Sequence, residues 1–441
     1  MNILGSLLLH DFRLVDETLD MSGSVWIEQG IIREVFPQGT PVPEPLPPLH
    51  QTIRGGGSLV LMPALVDLHT HFRDPGYPEK ETLESGCLAA VAGGYGTVVC
   101  MANTNPVIDS LSRSRVLKTR ADTLGLVDLY PVLALTEGME GAALSEIGRL
   151  KENEPGIRIV SEDGKDILSD ALFSQAFLAA RSLGVPLSCH CDVGGPEAAE
   201  AKVQGKSRAY WSRIEENHGT QRALALAKQA QGRVHIAHVS TKEAVDLIRK
   251  AKTEPAQSGP YRFTLTAEVT PHHLCLTEER AHFLGEETFG RVNPPLRTEA
   301  DRAALIQGLR DGTIDAIATD HAPHREEDKR QGAPGFTGLE TSFALCHTEL
   351  ALRQGFSLSR LSALMSAAPA RILGLRDRGR IAPGFRGDLL IADPQLPWQI
   401  PGQGFRSRGK NSPYSGLSCT GRVLMTLFQG TVVYTLPGDS L

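Results

Sequence analysis

The sequence predicts an α/β protein: a (β/α)8 barrel with a small composite β-sandwich contributed by the two chain ends. Three observations predict it. Eight short runs rich in apolar and β-branched residues alternate with longer helical stretches between positions 65 and 319. The residues that follow those runs are repeatedly His, Asn or Asp. Before residue 61 and after residue 375 the pattern changes to short alternating strands broken by glycine. The expected division is therefore 1–60 for the N-terminal part of the sandwich, 61–375 for the barrel and 376–441 for its C-terminal part.

In chain order, residues 7–9, 25–27 and 31–35 alternate as small strands, separated at Gly23 and Gly30. The proline-rich stretch 37–48 has too few N–H donors for a helix or a central strand and reads as a surface loop. The eight barrel runs are 65–71, 97–101, 128–134, 157–160, 185–190, 233–238, 263–269 and 315–319. Between them lie helical patterns such as 81–92, with Leu83, Cys87, Ala90 and Val91 on one face, and 221–229. After residue 375 short strands return at 388–392, 423–428 and 431–434, with Gly430 at a turn. Their style matches the N-terminal segment, so the two ends are expected to pair.

Composition narrows the function classes. Hydrophobic residues at 41% and charged residues at 22% are ordinary for a globular protein. A net charge of −6 with mixed signs supplies no field for nucleic acid or anionic lipid, and the local basic residues Arg406, Arg408 and Lys410 read as a solvated loop. The apolar run at 3–9 lacks a basic leader and is too short to span a bilayer. Seven scattered cysteines form no disulfide framework, which points to a reducing cytoplasm. Cys189 and Cys191 flank His190, and strand parity turns both away from any site that His190 faces.

The chemistry concentrates at 65–76, L-V-D-L-H-T-H-F-R-D-P-G. Asp67, His69, His71 and Arg73 share one parity, and the closing Asp-Pro-Gly is turn chemistry. On spacing alone, metal binding and a structural role are equally open. The other strand ends decide between them: with His69 and His71 stand Asn103, Asp163, His190, His238 and Asp320, all on the rim where barrels of this kind build their sites. Imidazoles and carboxylates without thiolates suit a catalytic divalent ion that keeps a position open for water, and there are ligands for two ions sharing a carboxylate. Such a pair lowers the pKa of water and prepares it to attack an amide carbonyl, while Asp320 can pass the proton to the leaving nitrogen.

These motifs resemble the amidohydrolase superfamily and, within it, the bacterial class I dihydroorotases. The resemblance rests on D-L-H-T-H-F-R-D-P-G (67–76), M-A-N-T-N-P (101–106), S-E-D-G (161–164), S-C-H-C-D (188–192), H-I-A-H-V-S-T (235–241), E-V-T-P-H-H-L (268–274), R-V-N-P-P-L-R (291–297), T-D-H-A-P-H (319–324), G-L-E-T (338–341) and N-S-P-Y-S-G (411–416). It implies two zinc ions, one held by His69, His71 and Asp320, the other by His190 and His238, bridged by Asp163. It further implies that Arg73, Asn103 and His324 bind a substrate carboxylate, that His71 lines the same pocket, and that Asn293, Pro334 and Gly335 contact a pyrimidine ring.

The implied reaction interconverts N-carbamoyl-L-aspartate and dihydroorotate in pyrimidine synthesis, with a small-molecule substrate and no nucleic-acid or membrane partner. The resemblance also allows a homodimer or a complex with aspartate carbamoyltransferase. A hydantoinase, dihydropyrimidinase or allantoinase would instead carry a bridging lysine and need no Arg73; a silent scaffold for the carbamoyltransferase would have lost ligands. Departures from the pattern are Ala64 for glycine, Ala102 for proline, Glu162 for aspartate, and a loop at 332–337 one residue shorter. None removes a ligand. Lys165 reads as a solvated loop residue, His272, His273 and His321 as structural or supporting residues, and His235 as turned to the face opposite His238.

Overall fold

Alternating apolar positions make Ser6–Val15 (β1), Asp20–Glu28 (β2) and Ile31–Pro37 (β3) an antiparallel meander. Its β2–β3 turn places Gln29 and Gly30 at φ 51° and 79°, the left-handed pair that matches the twist of a two-residue hairpin. His50–Arg54 (β4) and Val60–Pro63 (β5) both add to β1 in parallel. In this computed structural model the described residues are 5–42, 50–150, 154, 156–193, 195–254 and 262–438. Residues 3–4 of the apolar N-terminal run and 43–48 of the proline-rich stretch lie outside them.

The barrel strands follow: Leu65–Thr70 (β6), Tyr95–Cys100 (β7), Asp128–Pro131 (β8), Leu133–Ala134 (β9), Val160–Ser161 (β10), Leu187–Cys189 (β11), Arg233–Ile236 (β12), Thr264–Val269 (β13) and Ala316–Ile317 (β14). All pair in parallel, in the order β6-β7-β8 and β9 to β14. Only Val132 separates β8 from β9, and its N–H donates to Cys100 O at 2.8 Å, so the two are one barrel strand with a kink. The ring closes where His71 N donates to His321 O at 2.8 Å and the Asp67 carboxylate accepts from Thr319 N at 3.0 Å and Oγ1 at 2.6 Å. Eight strands thus form at the predicted places, most of them shorter than their apolar runs. Several chain segments leave the sheet early at the rim: Arg73, His238 and Asp320 adopt φ of 59°, 31° and 48°, a left-handed conformation uncommon for residues other than glycine.

Helices between the strands wrap the barrel. Leu83–Ala92 (α1) is capped by Thr82 with Ser85, and its Leu83, Cys87, Ala90 and Val91 are buried in the main core, as the one-face pattern predicts. Leu111–Leu124 (α2), Asp170–Leu183 (α3), Pro196–Val203 (α4) and the 23-residue Arg208–Ala230 (α5) follow, and α5 includes the stretch 221–229.

The C-terminal strands Leu389–Gln399 (β15), Ser418–Phe428 (β16) and Thr431–Thr435 (β17) join the N-terminal ones: β15 runs antiparallel to β5, giving the order β17-β16-β15-β5-β1-β2-β3. β5 thus crosses the expected boundary at residue 60, because it is the strand through which the two ends are hydrogen-bonded. Gly387 N donates to Gly30 O at 2.7 Å and Gly430 N to Gly387 O at 2.9 Å, so hairpins from opposite ends of the strand order meet and the sheet curls on itself. Leu7, Leu9, Phe12 and Val25 from one end and Leu389, Ile391 and Leu427 from the other share the core this encloses. Asp128, at the start of β8, fastens the barrel to the C-terminal segment through Arg378 at 2.9 Å and Arg386 at 3.3 Å. Among the described residues no helix is long and apolar enough to cross a membrane.

Candidate metal centre

The rim gathers the side chains expected there. His69 and His71 leave the end of β6, Asp163 follows β10, His190 follows β11, His238 follows β12 and Asp320 follows β14, and all six are buried. His69 Nε2 lies 3.2 Å from Asp163 Oδ1 and 3.6 Å from Asp320 Oδ1; His71 Nε2 lies 3.1 Å from Asp320 Oδ1 and 3.5 Å from Asp163 Oδ2. On the other side of Asp163, His190 Nδ1 is 3.7 Å from Oδ1 and 2.5 Å from His238 Nε2. Two sets of ligand atoms fall within 4.8 Å of one another, His69 with His71 and Asp320, and His69 with Asp163 and His238.

Outer hydrogen bonds set which imidazole nitrogen faces inward. His69 Nδ1 donates to Glu268 Oε1 at 2.9 Å, His71 Nδ1 to Asn103 Oδ1 at 3.0 Å and His190 Nε2 to Asp192 Oδ2 at 3.1 Å. Each bond fixes a tautomer whose remaining nitrogen presents a lone pair to the cluster. His69 Nε2, though buried and close to two carboxylates, has no hydrogen-bond partner among the described residues. The ligand atoms of His69, His71 and Asp320, and of His69, Asp163 and His238, converge closely enough to suit a divalent cation, whereas His190 Nδ1 meets His238 Nε2 directly. Burial works against charge on Asp163 and Asp320, but the surrounding imidazoles, His69 foremost, hold both carboxyls below their usual range. Against burial, Asp163 and Asp320 raise His69 well above its ordinary value and Asp192 and Asp163 raise His190 to about 10, whereas burial, with His190 and His69, drives His238 down to about 3; a divalent ion bound here would displace those protons.

Beside the cluster opens a cavity of about 230 Å³ lined by His71, Arg73, Asn103, Asn293, His324, Pro334 and Gly335 among others. The geometry thus brings every sequence-predicted site residue to one place, His69 behind the others. Arg73 is held by Pro323 O at 3.3 Å and by His324 Nε2 at 3.2 Å. Asn103 is tied on both ends, its Nδ2 donating to Asp163 Oδ2 at 3.1 Å. Asn293 Oδ1 accepts from Arg208.

Sequence reasoning missed the supports. His235 was expected on the face opposite His238; instead β12 ends at Ile236 and the left-handed turn at His238 breaks the parity rule, so His235 too is buried near the cluster, bonding Glu268 Oε2 at 3.0 Å. One carboxylate, Glu268, therefore ties His235 to the ligand His69; its position in E-V-T-P-H-H-L was the only signal. Asp67 shares the parity of His69 but is spent on Thr319. The basic segment at 406–410 exposes Arg406, Arg408 and Lys410, yet its backbone is pinned: Arg406 N and Ser407 N donate to Glu340, and Arg408 N to Glu81. Glu81 also accepts from His321 at 3.4 Å, and His273 bonds Thr270 and Pro294 O, which makes both histidines supports. Glu162, a departure from the expected motif, accepts from Leu135 N and Thr136 N, while Lys165 is exposed.

Comparison with known proteins agrees with this architecture. The family model described as "Amidohydrolase family" matches residues 60–433. The chain is 35% identical over 428 residues to a dihydroorotase from Clostridium botulinum, covering 97% of this chain and 99% of that protein. It is 37% identical over 442 residues to a dihydroorotase from Citrifermentans bemidjiense, with the same coverage. Among solved structures it superimposes on an L-hydantoinase (dihydropyrimidinase) from Arthrobacter aurescens with a TM-score of 0.82 at 25% identity, covering 99% of this chain and 97% of that one. A dihydropyrimidinase from Brevibacillus agri, at 20% identity and a TM-score of 0.81 over 98% and 95% of the two chains, shares the fold. A ligand set spread over the ends of barrel strands and a family match spanning most of the chain lead to one conclusion: this protein belongs to the amidohydrolase family.

Proposed function

We propose that the chain is a zinc-dependent dihydroorotase that interconverts N-carbamoyl-L-aspartate and (S)-dihydroorotate in de novo pyrimidine synthesis. The observation that carries this reading is Arg73. Its guanidinium lines the cavity beside the metal-type cluster, is half-buried, makes no salt bridge among the described residues, and donates there to Pro323 O and His324 Nε2. A half-buried guanidinium that faces a cavity without its own carboxylate is suited to an anionic substrate, and its planar fork matches a carboxylate. The reading also draws on the curated relatives, which are named dihydroorotase.

In this reading His69, His71 and Asp320 would hold one zinc ion and His190 and His238 the other, with Asp163 shared between them. Bound there, the ions supply Lewis-acid polarisation of the amide carbonyl and a lowered pKa for water. Arg73, Asn103 and His324 bind the substrate carboxylate, and Asn293 with the backbone at Pro334 and Gly335 orients the ring. Asp320, charged and directed at the cluster, accepts the proton from water at its carboxylate and returns it to the amide nitrogen as the ring opens; closure runs the same steps backwards. The left-handed backbone at Asp320 aims that carboxylate and stays in place because β14 and β6 are locked through Asp67. A hydantoinase-type reading is disfavoured by the exposed Lys165 beside Asp163, and a silent scaffold by the retention of all six expected side chains in the sequence. All seven cysteines are free, in keeping with a reducing cytoplasm.

The test is turnover of L-dihydroorotate by the purified chain before and after chelation, with metal content determined on the same sample. Activity lost on chelation and restored by zinc is the expected result. A metal-loaded protein that leaves dihydroorotate untouched but opens hydantoin, dihydrouracil or allantoin would replace this reading.

A further inference from the structure

Lys329 is the most unusual cation in the molecule. Its side chain is wholly buried, and among the described residues it faces no carboxylate. Its Nζ instead donates to three backbone carbonyls, Arg291 O at 2.7 Å, Ala333 O at 2.9 Å and Gly335 O at 3.0 Å, which uses all three ammonium protons. The Phe336 ring lies 5.2 Å from it. Burying a lysine without an anion is costly, so the position does something a leucine could not.

What it joins is informative. Arg291 precedes Asn293 by two residues, and Ala333 and Gly335 flank Pro334, so a single ammonium ties together the two backbone segments assigned to the ring. Gly335 N donates to Arg291 O at 3.0 Å, reinforcing the same junction. Only glycine fits at 335: its φ is +130°, and a Cβ there would stand 2.6 Å from the Ala322 Cβ. A second side chain completes the arrangement. Asn411 Nδ2 donates to Gly335 O and Ala322 O, both at 3.0 Å, and its Oδ1 accepts from His324 N at 2.9 Å. Asn411 lies between β15 and β16 in the C-terminal segment, so the outer part of the chain reaches into the rim to hold it. Gly335 O thus accepts from both Lys329 and Asn411, and the Asn293, His324 and Gly335 segments of the cavity wall form one unit.

We propose that Lys329 and Asn411 are positioning residues that fix the distance between the ring-contact wall and the metal cluster, and so determine which rings the enzyme accepts. The inference rests on the dihydroorotase reading above. Neither residue touches the reacting atoms; each acts through the carbonyls it holds.

The test uses the full zinc-loaded chain and two variants. Lys329→Met keeps the length of the side chain and removes the cation, and Asn411→Asp keeps the acceptor for His324 N but removes both donors. The expected result for each is a KM for L-dihydroorotate raised at least tenfold, with kcat and metal content within twofold of the parent. Turnover of dihydrouracil, which keeps the ring and lacks only the carboxylate, should fall by a similar factor; a loss confined to dihydroorotate in Lys329→Met would place the effect at the carboxylate and overturn the proposal. A KM within twofold of the parent in a folded variant overturns the proposal, as does a loss that follows metal content or that strikes kcat alone. Should Lys329→Met fail to fold, Asn411→Asp decides by the same criteria. A parent protein that does not turn over dihydroorotate rejects the functional reading itself, whereas an active parent with unaffected variants rejects only the clamp.

Discussion

Replacing Glu268 with Gln isolates the electrostatic part of the metal site's support. The Glu268 carboxylate accepts from His69 Nδ1 at 2.9 Å and from His235 Nε2 at 3.0 Å, and all three groups are buried. Burial penalises its charge, yet the hydrogen bonds from His235 and His69 outweigh that penalty and hold the carboxyl at about 2. It therefore stays ionised and makes His69 Nε2 a stronger donor to metal. Glutamine preserves the shape, and its oxygen can still accept from His69, so the imidazole keeps its tautomer while losing the negative charge behind it. Removing such a partner typically costs about 10–100-fold in metal affinity, or about 1.4–2.7 kcal/mol. Because one hydrogen bond survives, Glu268→Gln should fall near tenfold, and Glu268→Ala, which removes both, nearer a hundredfold. Zinc affinity measured by competition with a chelator reads this directly, with kcat at saturating zinc as the control for misfolding. Affinity within twofold of the parent for both variants would refute the argument that Glu268 acts through His69.

Two further outcomes are expected. Arg73→Met should raise the KM for L-dihydroorotate by roughly ten- to a hundredfold, the worth of a charge-assisted hydrogen-bond pair, and leave dihydrouracil turnover far less affected; equal losses on both rings in steady-state assays would contradict the carboxylate role. At Asp128 burial opposes ionisation, but Arg378 and Lys118 pull its carboxyl from the ordinary 3.8 down to about 2. The unfolded chain therefore takes up this proton first, so the contribution is complete above about pH 4 and lost as pH falls towards 2, amounting to about 2 kcal/mol. Asp128→Asn should lower stability at pH 7 by about that amount and flatten the acid limb, as read by denaturant unfolding across pH 2 to 7.

The alternation of short apolar runs with helical stretches made the barrel legible, because a parallel strand buried on both faces must be apolar and β-branched whatever surrounds it. The six side chains that meet at the rim were legible for a related reason: a strand end followed by His, Asn or Asp is a local feature, and its repetition survives in one dimension. His235 was misread because parity holds only while the chain stays extended, and the left-handed turn at His238, two residues past Ile236, ends that extension. Glu81 carried no local signal, since it matters through His321 and Ser407 far along the chain, and Glu268, marked only by its place in E-V-T-P-H-H-L, lies 199 residues from His69.

The sequence by itself determined the barrel, the pairing style of the two ends and the identity of the donor atoms, all consequences of short-range pattern and residue chemistry. The tertiary structure decided which imidazole nitrogen faces the cluster, how Arg73 is held among the described residues without a salt bridge, and how Asn411 from the far end of the chain reaches Gly335. Those are matters of distance and direction between residues remote in sequence, and they exist only once the ring of strands has closed through Asp67 and Thr319.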